Sequence, residues 1–197
     1  MRRLSMGAKI NFLREYISNP GSIGAVAASG RILASRMLDG ISLEKATTVV
    51  ELGPGTGAFT AEILLRISSE AKFIVIEKNP VFLAELRYNF GNLEIIEGDA
   101  ENLVHLLHHR GIDAVDVVIS GLPWAAFPET VQERILSEVH DVLAPKGRFV
   151  TFAYGGVHLL PKARAFRDRL EACFSQVDRT PLAWRNLPPA FAYHCKR

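Results

Sequence analysis

Thr47-Thr48-Val49-Val50-Glu51-Leu52-Gly53-Pro54-Gly55-Thr56-Gly57 is the stretch on which the fold turns. Its first half is short, apolar and β-branched, the signature of a buried strand, and its second half is a glycine-rich turn that a strand cannot continue through. A glycine loop directly after a strand lets the chain turn sharply and lets a ligand approach the backbone. That loop lies at the carboxyl end of the strand, where open α/β sheets bind ligands. Gly53, Gly55 and Ala58 also satisfy the dinucleotide fingerprint, so the loop alone leaves NAD and S-adenosyl-L-methionine both open.

Downstream, the pattern repeats. Phe73–Glu77, Leu93–Glu97, Ala114–Ser120 and Arg148–Tyr154 read as further strands, with helical patterns over Thr60–Ser68, Pro80–Phe90, Ala100–Arg110 and Pro128–Leu143 between them. Strand–helix alternation builds a parallel sheet covered on both faces, so the fold class is α/β. Beyond a basic helix near Pro161–Cys173, two apolar stretches at Phe174–Trp184 and Ala190–Cys195, joined through Arg185–Pro189, predict a closing hairpin. With 197 residues and no linker or repeat, residues 1–197 are expected to form a single domain.

Two more acids fall at strand ends beside the loop. Glu77 closes the second strand, twenty residues after Gly57, where a carboxylate can accept hydrogen bonds from ribose hydroxyls. Gly98-Asp99-Ala100 closes the third. A single strand-end acid is as readily a helix N-cap, but two at successive ends beside a glycine loop point to a shared crevice.

The composition, 48% hydrophobic and 22% charged, excludes disorder and a disulfide-stapled miniprotein. No apolar run reaches the roughly 18 residues of a membrane span, and the N-terminal segment lacks a signal-peptide core, so a cytoplasmic location is expected. Cys173 and Cys195 form no C-x-x-C pair, and His105, His108 and His109 lack acidic or cysteine partners, so no metal site is expected. The net charge of +2 hides a split: residues 1–40 carry six Lys/Arg against two acids, residues 41–160 nine against sixteen, and residues 161–197 eight against three. Basic ends suggest either solvated helix faces or an anionic partner. Met6, Ile10, Leu13 and Ile17 fall at helical spacing among Arg3, Lys9 and Arg14, and Asn19-Pro20-Gly21 ends the pattern. Residues 1–40 therefore predict a helical extension with a basic amphipathic start, which either covers the sheet edge or lies in a membrane interface as a lid over the site.

The fourth strand runs into Ser120-Gly121-Leu122-Pro123-Trp124. With the glycine loop and the strand-end acids, this motif resembles the class I S-adenosylmethionine-dependent methyltransferases, whose amine-modifying members carry an Asn- or Asp-Pro-Pro-Tyr motif there. The resemblance implies a Rossmann-like, seven-stranded, mostly parallel sheet. It also implies a cofactor site made of Ser29, Glu51, Gly53, Gly55, Thr56, Gly57, Glu77, Lys78, Gly98, Asp99, Ala100 and Ser120. In that family the residue matching Glu77 binds ribose and the one matching Asp99 sits at adenine. Glu51 suits the ammonium of the cofactor's methionyl end.

Two subfamilies resemble the chain more closely: the ribosomal RNA adenine dimethylases and the small bacterial phospholipid N-methyltransferases that act on phosphatidylethanolamine. Gly121 stands where the RNA enzymes have an asparagine that accepts an adenine amino hydrogen, and glycine has no side chain to do so. Residues 20–29, Ser120–Trp124 and the segment from Trp184 to Pro189 are similar to the lipid enzymes. The expected partner is thus a phospholipid at an anionic membrane surface, with no nucleic acid and no obligate protein partner. RNA adenine methylation, or non-catalytic cofactor or membrane binding, stands as the alternative.

Methyl transfer is an in-line displacement, so the acceptor amine must present a free lone pair. Ser120, Gly121, Leu122 and Pro123 are expected to orient it through backbone carbonyls. Tyr16 and Tyr154 are candidate proton acceptors or positioning groups, and Trp124 is expected to offer its ring face to a methylated ammonium. Class I transfer needs no metal.

Overall fold

A computed structural model describes residues 33–155, 161–184 and 189–197. Seven strands form one sheet in the order β3-β2-β1-β4-β5-β7-β6: β1 Thr48–Leu52, β2 Lys72–Glu77, β3 Glu94–Glu97, β4 Val115–Ser120, β5 Leu143–Tyr154, β6 Gln176–Arg179 and β7 Ala190–Lys196. The first five are parallel, and β7 runs antiparallel between β5 and β6. This is the doubly wound, mostly parallel sheet that the strand–helix alternation predicts, with the expected hairpin closing it.

Alternation within each strand sorts the side chains onto two apolar layers. Val50, Leu52, Ile74, Ile76, Val118 and Phe149 pack beneath α3 (Leu103–His108), α4 (Glu129–Val142) and α5 (Pro161–Cys173). Val49, Phe73, Val75, Val117, Ile119 and Val150 pack beneath α1 (Ala58–Leu64), α2 (Pro80–Asn89) and the helical residues 33–38. Leu33, Ala34, Met37 and Leu38 are all buried in that second layer, and Met37 O lies 2.8 Å from His194 Nε2 on β7. The last part of the N-terminal extension is therefore core. The basic amphipathic segment before it lies outside the described residues.

Local chemistry explains most boundaries. Asn79 caps α2, its side chain accepting from Val81 N–H at 2.9 Å, and Pro80 occupies the first helical position. One strand differs from the sequence pattern. β5 begins at Leu143, directly after α4, and the register against β4 jumps from Val115↔Leu143 to Val117↔Arg148. The residues in between, Ala144-Pro145-Lys146-Gly147, form a bulge with Lys146 at φ 69°. Their proline and glycine read as a loop, which is why the pattern alone starts this strand at Arg148.

Candidate active site

The strand order reverses between β1 and β4, so the loops after these two strands diverge and leave a crevice at the carboxyl edge. Its floor is main chain. Gly98 N–H donates to Glu77 O (3.0 Å), Gly53 N–H to Ile76 O (2.9 Å) and Gly121 N–H to Leu52 O (2.8 Å), so the residue after each of three strands adds one more rung to the ladder. Gly121 has a steric reason to be glycine: a Cβ there would lie 2.5 Å from Gly53 O, a backbone atom of the facing loop. The asparagine of the RNA enzymes therefore has no room on this backbone.

The loop from Gly53 to Gly57 carries positive φ at each of its glycines (63°, 56° and 85°). Gly55 is different in its surroundings: a Cβ there would meet nothing within 4 Å. The conformation requires glycine, while the space above it is open, as a cradle for a ligand would be.

Glu51 is fully buried on the α1 side of β1. Its Oε2 accepts from the Thr60 hydroxyl at 2.7 Å, and its Oε1 has no partner among the described residues. Burial pushes its carboxyl up to about 8; the Thr60 hydrogen bond opposes this and the nearby Glu77 charge adds to it. A buried acid with one unmatched oxygen beside an open glycine loop fits a ligand that brings a cation. Thr60 is absent from the sequence-based site. Its only signal was a hydroxyl on the inward face of the helix after the loop.

Glu77, 8% exposed, accepts from Lys78 N–H (2.9 Å) and Asn79 N–H (2.8 Å) with the same oxygen, Oε1. These bonds fix the carboxylate and leave Oε2 without a partner among the described residues, as a ribose-binding acid requires. Asp99 is engaged otherwise: Oδ1 caps the short 3-10 turn Ala100–Asn102 by accepting from Glu101 N–H (3.1 Å), and Oδ2 pairs with Lys78 Nζ (3.0 Å). Partial burial would raise its pKa, but the Glu101 hydrogen bond and the Lys78 ammonium hold it below the usual carboxylate value. The N-cap reading of Asp99 is thus realised, and Lys78 braces that acid instead of facing the crevice alone.

Across the switch point, Ser120 is fully buried; its Oγ accepts from Leu122 N–H (3.3 Å) and Trp124 Nε1–H (3.2 Å), and its carbonyl accepts from Thr151 Oγ1 (3.3 Å). Leu122 O and Pro123 O accept from Trp124 N–H and Ala126 N–H, which winds the motif into a compact turn. Trp124 requires a correction. It is 3% exposed, stacks on Phe166 (4.9 Å, 27°) and meets Phe127 and Phe149 edge-on, so its faces belong to the core beneath α4 and α5. An indole satisfied through its N–H and packed by three rings anchors the loop and offers no face to an ammonium. Gln132 on α4 completes the anchor, with Nε2 donating to Trp124 O (2.9 Å) and Phe127 O (3.2 Å). The aromatic rings on the Glu51 side are others: Phe59 stacks on Phe152 (5.8 Å) and Phe152 meets Tyr154 edge-on (5.4 Å). Tyr16 and Ser29 lie outside the described residues. Among the described residues no His, Cys, Asp or Glu cluster could hold a metal.

A doubly wound sheet with a main-chain floor at its switch point and acids at two strand ends defines a nucleotide-type cofactor enzyme. Comparison with known proteins makes the class specific: residues 49–147 match the family described as "Methyltransferase domain", and the chain belongs to that family. It is an S-adenosylmethionine-dependent methyltransferase, and the open cradle at Gly55, the unmatched oxygen of Glu51 and the free oxygen of Glu77 fit that cofactor. Among its relatives is a protein of Singulisphaera acidiphila named ornithine lipid N-methyltransferase, 35% identical over 193 residues covering 94% of each chain. The ribosomal RNA small subunit methyltransferase A of Mycoplasma capricolum is 33% identical over 116 residues, 56% of this chain and 41% of that one. Among solved structures, Aeropyrum pernix fibrillarin with natively bound S-adenosyl-L-methionine shares the fold at a TM-score of 0.64 and 16% identity, covering 84% of this chain and 76% of that one.

Proposed function

We propose that the chain N-methylates the amine headgroup of a membrane lipid, either phosphatidylethanolamine and its partly methylated forms or an ornithine lipid. The observation that carries this reading is the end-to-end similarity to the Singulisphaera enzyme, against partial similarity to the RNA enzymes. The two lipid heads share their chemistry: an acylated molecule whose polar end is a primary amine. The packing of Gly121 on Gly53 O supports a lipid acceptor over adenine, because the motif offers no side-chain oxygen to an adenine amino group.

Bound S-adenosylmethionine supplies a methyl group on a positively charged sulfur. The chain's own residues do the rest. The Glu51 carboxylate would hold the methionyl ammonium, Oε2 of Glu77 the ribose, and the loop from Gly53 to Gly57 would lie against the cofactor's backbone-sized face. The carbonyls of Ser120, Leu122 and Pro123 already accept from Thr151, Trp124 and Ala126, so the Gly121 carbonyl would accept a hydrogen from the acceptor amine and aim its lone pair. In place of Trp124, the Phe152 and Tyr154 rings are the aromatic candidates for the methylated head, at the carboxyl end of β5.

The deciding experiment is incorporation of labelled methyl groups into detergent-dispersed phosphatidylethanolamine, ornithine lipid and, in parallel, ribosomal RNA. Labelling of either amine lipid is expected. Labelling of RNA alone would overturn the reading, and binding of S-adenosylhomocysteine without labelling of any acceptor would make the chain a non-catalytic cofactor binder.

A further inference from the structure

Five large hydrophobic side chains are exposed among the described residues, and the bulkiest of them is a tryptophan. Trp184 is 75% exposed, whereas the other tryptophan, Trp124, is core. Its position follows from the sheet. β6 pairs antiparallel to β7, which pairs antiparallel to β5, so β6 runs with β5 and ends at the crevice edge. The chain then stays on β7: Thr180 N–H donates to Ala192 O (3.0 Å) and Ala183 N–H to Ala190 O (2.7 Å). Ala190 pairs with Tyr154, the last residue of β5. Trp184 is therefore carried past the final rung of the sheet, on the same edge that opens onto the cofactor crevice.

Two exposed cations lie on the same edge of the sheet. Arg179 is exposed at the end of β6, its guanidinium 5.0 Å from the centre of the Phe191 ring, and makes no ion pair among the described residues. Helix α5 starts after β5 and runs back toward β6, so Arg164, in its first turn, lies at the same edge, exposed and also without an ion pair there. Further along α5 the arginines are matched: Arg167 pairs with Glu171, and Arg169 with Glu129 and Glu133. The unpaired cations thus sit at the crevice end of this helix and its neighbouring strand. The paired ones sit away from it.

We infer that the edge carrying Arg164, Arg179 and Trp184 docks on an anionic lipid bilayer, with the indole at the headgroup boundary and the two guanidinium groups over lipid phosphates, which turns the crevice toward the membrane. A tryptophan has an apolar body and one polar N–H, which suits the water–lipid boundary better than either phase alone. Basic residues beside it draw the surface toward anionic lipid, an attraction that weakens as salt shortens the Debye length. This inference rests on the lipid-acceptor reading only for its purpose; the surface itself is testable without turnover.

The full chain is mixed with vesicles of phosphatidylcholine containing phosphatidylglycerol. Because only Trp184 is exposed, its emission should move to shorter wavelength on vesicle addition and be quenched by brominated acyl chains. Trp184→Phe should abolish the shift. Arg164→Glu with Arg179→Glu should weaken cosedimentation by roughly tenfold or more at low salt, while calorimetric binding of S-adenosylhomocysteine stays unchanged in both variants. Cosedimentation with unaltered emission and no quenching, or no vesicle binding by a chain that methylates detergent-dispersed lipid, would overturn the inference and leave the acceptor reading intact. An emission shift from a chain that labels no amine lipid would support the surface and sink the acceptor reading.

Discussion

On the proposed reading, Glu51 would couple cofactor binding to pH. Burial pushes its carboxyl up from the ordinary 4.5 to about 8, with the nearby Glu77 charge adding to the rise. The group therefore takes up a proton on folding, and stability without ligand should fall as pH rises from about 4.5 through about 8. Binding of an ammonium favours the carboxylate, so near pH 7 S-adenosylhomocysteine should displace up to about one proton. Calorimetry in buffers of different ionisation heat measures this release, and Glu51→Gln should remove most of it. A second contrast concerns glycine. Gly55→Ala meets no atom but forces alanine to φ 56°, which costs about 1–2 kcal/mol; its loss of S-adenosylhomocysteine affinity should exceed what its drop in Tm implies. Gly121→Ala meets backbone, Gly53 O at 2.5 Å, so Tm and affinity should fall together. The sequence made Glu51, Glu77 and the loop glycines legible because chemistry at strand ends has a fixed spacing. It could not reveal Thr60, since a threonine on an inward helix face looks the same whether or not it meets a carboxylate.

At the scale of elements, α4 holds the turn that follows β4. Gln132 reaches two carbonyls of the 124–127 turn, and Arg169 NH1 of α5 donates to Gln132 Oε1 at 3.3 Å. Gln132→Leu keeps the volume, leaves Phe127 O unmatched and leaves Trp124 O with only the Phe127 N–H, at a cost of about 1–3 kcal/mol. The expected outcome is a lower Tm and a raised KM for the lipid acceptor, with S-adenosylhomocysteine affinity little changed; equal losses of both affinities would show that the turn and the glycine loop move as one. Trp124 shows why sequence reading failed here. Its neighbours Phe166, Phe149 and Phe127 come from α5, β5 and the turn itself, and distance along the chain hides that they converge on one indole. Strand existence was legible throughout, whereas the early start of β5 was not, because a bulge is built from the same proline and glycine that end strands elsewhere.

For the whole molecule, the two layers differ in what they leave to the surface. One layer includes Leu33, Ala34, Met37 and Leu38, packed on the face of the sheet that α1 covers, and the segment before residue 33 lies outside the described residues. Deleting Met1–Ser18 should reduce sedimentation with anionic vesicles at low salt and leave S-adenosylhomocysteine binding largely intact; indifference of vesicle binding to the deletion would make that segment cover for the sheet. The main-chain floor made by Gly53, Gly98 and Gly121 has a consequence for how such an enzyme changes over generations. A floor without side chains has few single substitutions that can retune it, since most additions meet Leu122, Leu106 or Gly53 O and obstruct it. Under the proposed reading, change is left to side chains around that floor, such as the Phe152 and Tyr154 rings at the carboxyl end of β5. A backbone floor of this kind would hold the donor half of the reaction under tighter steric constraint than the acceptor half.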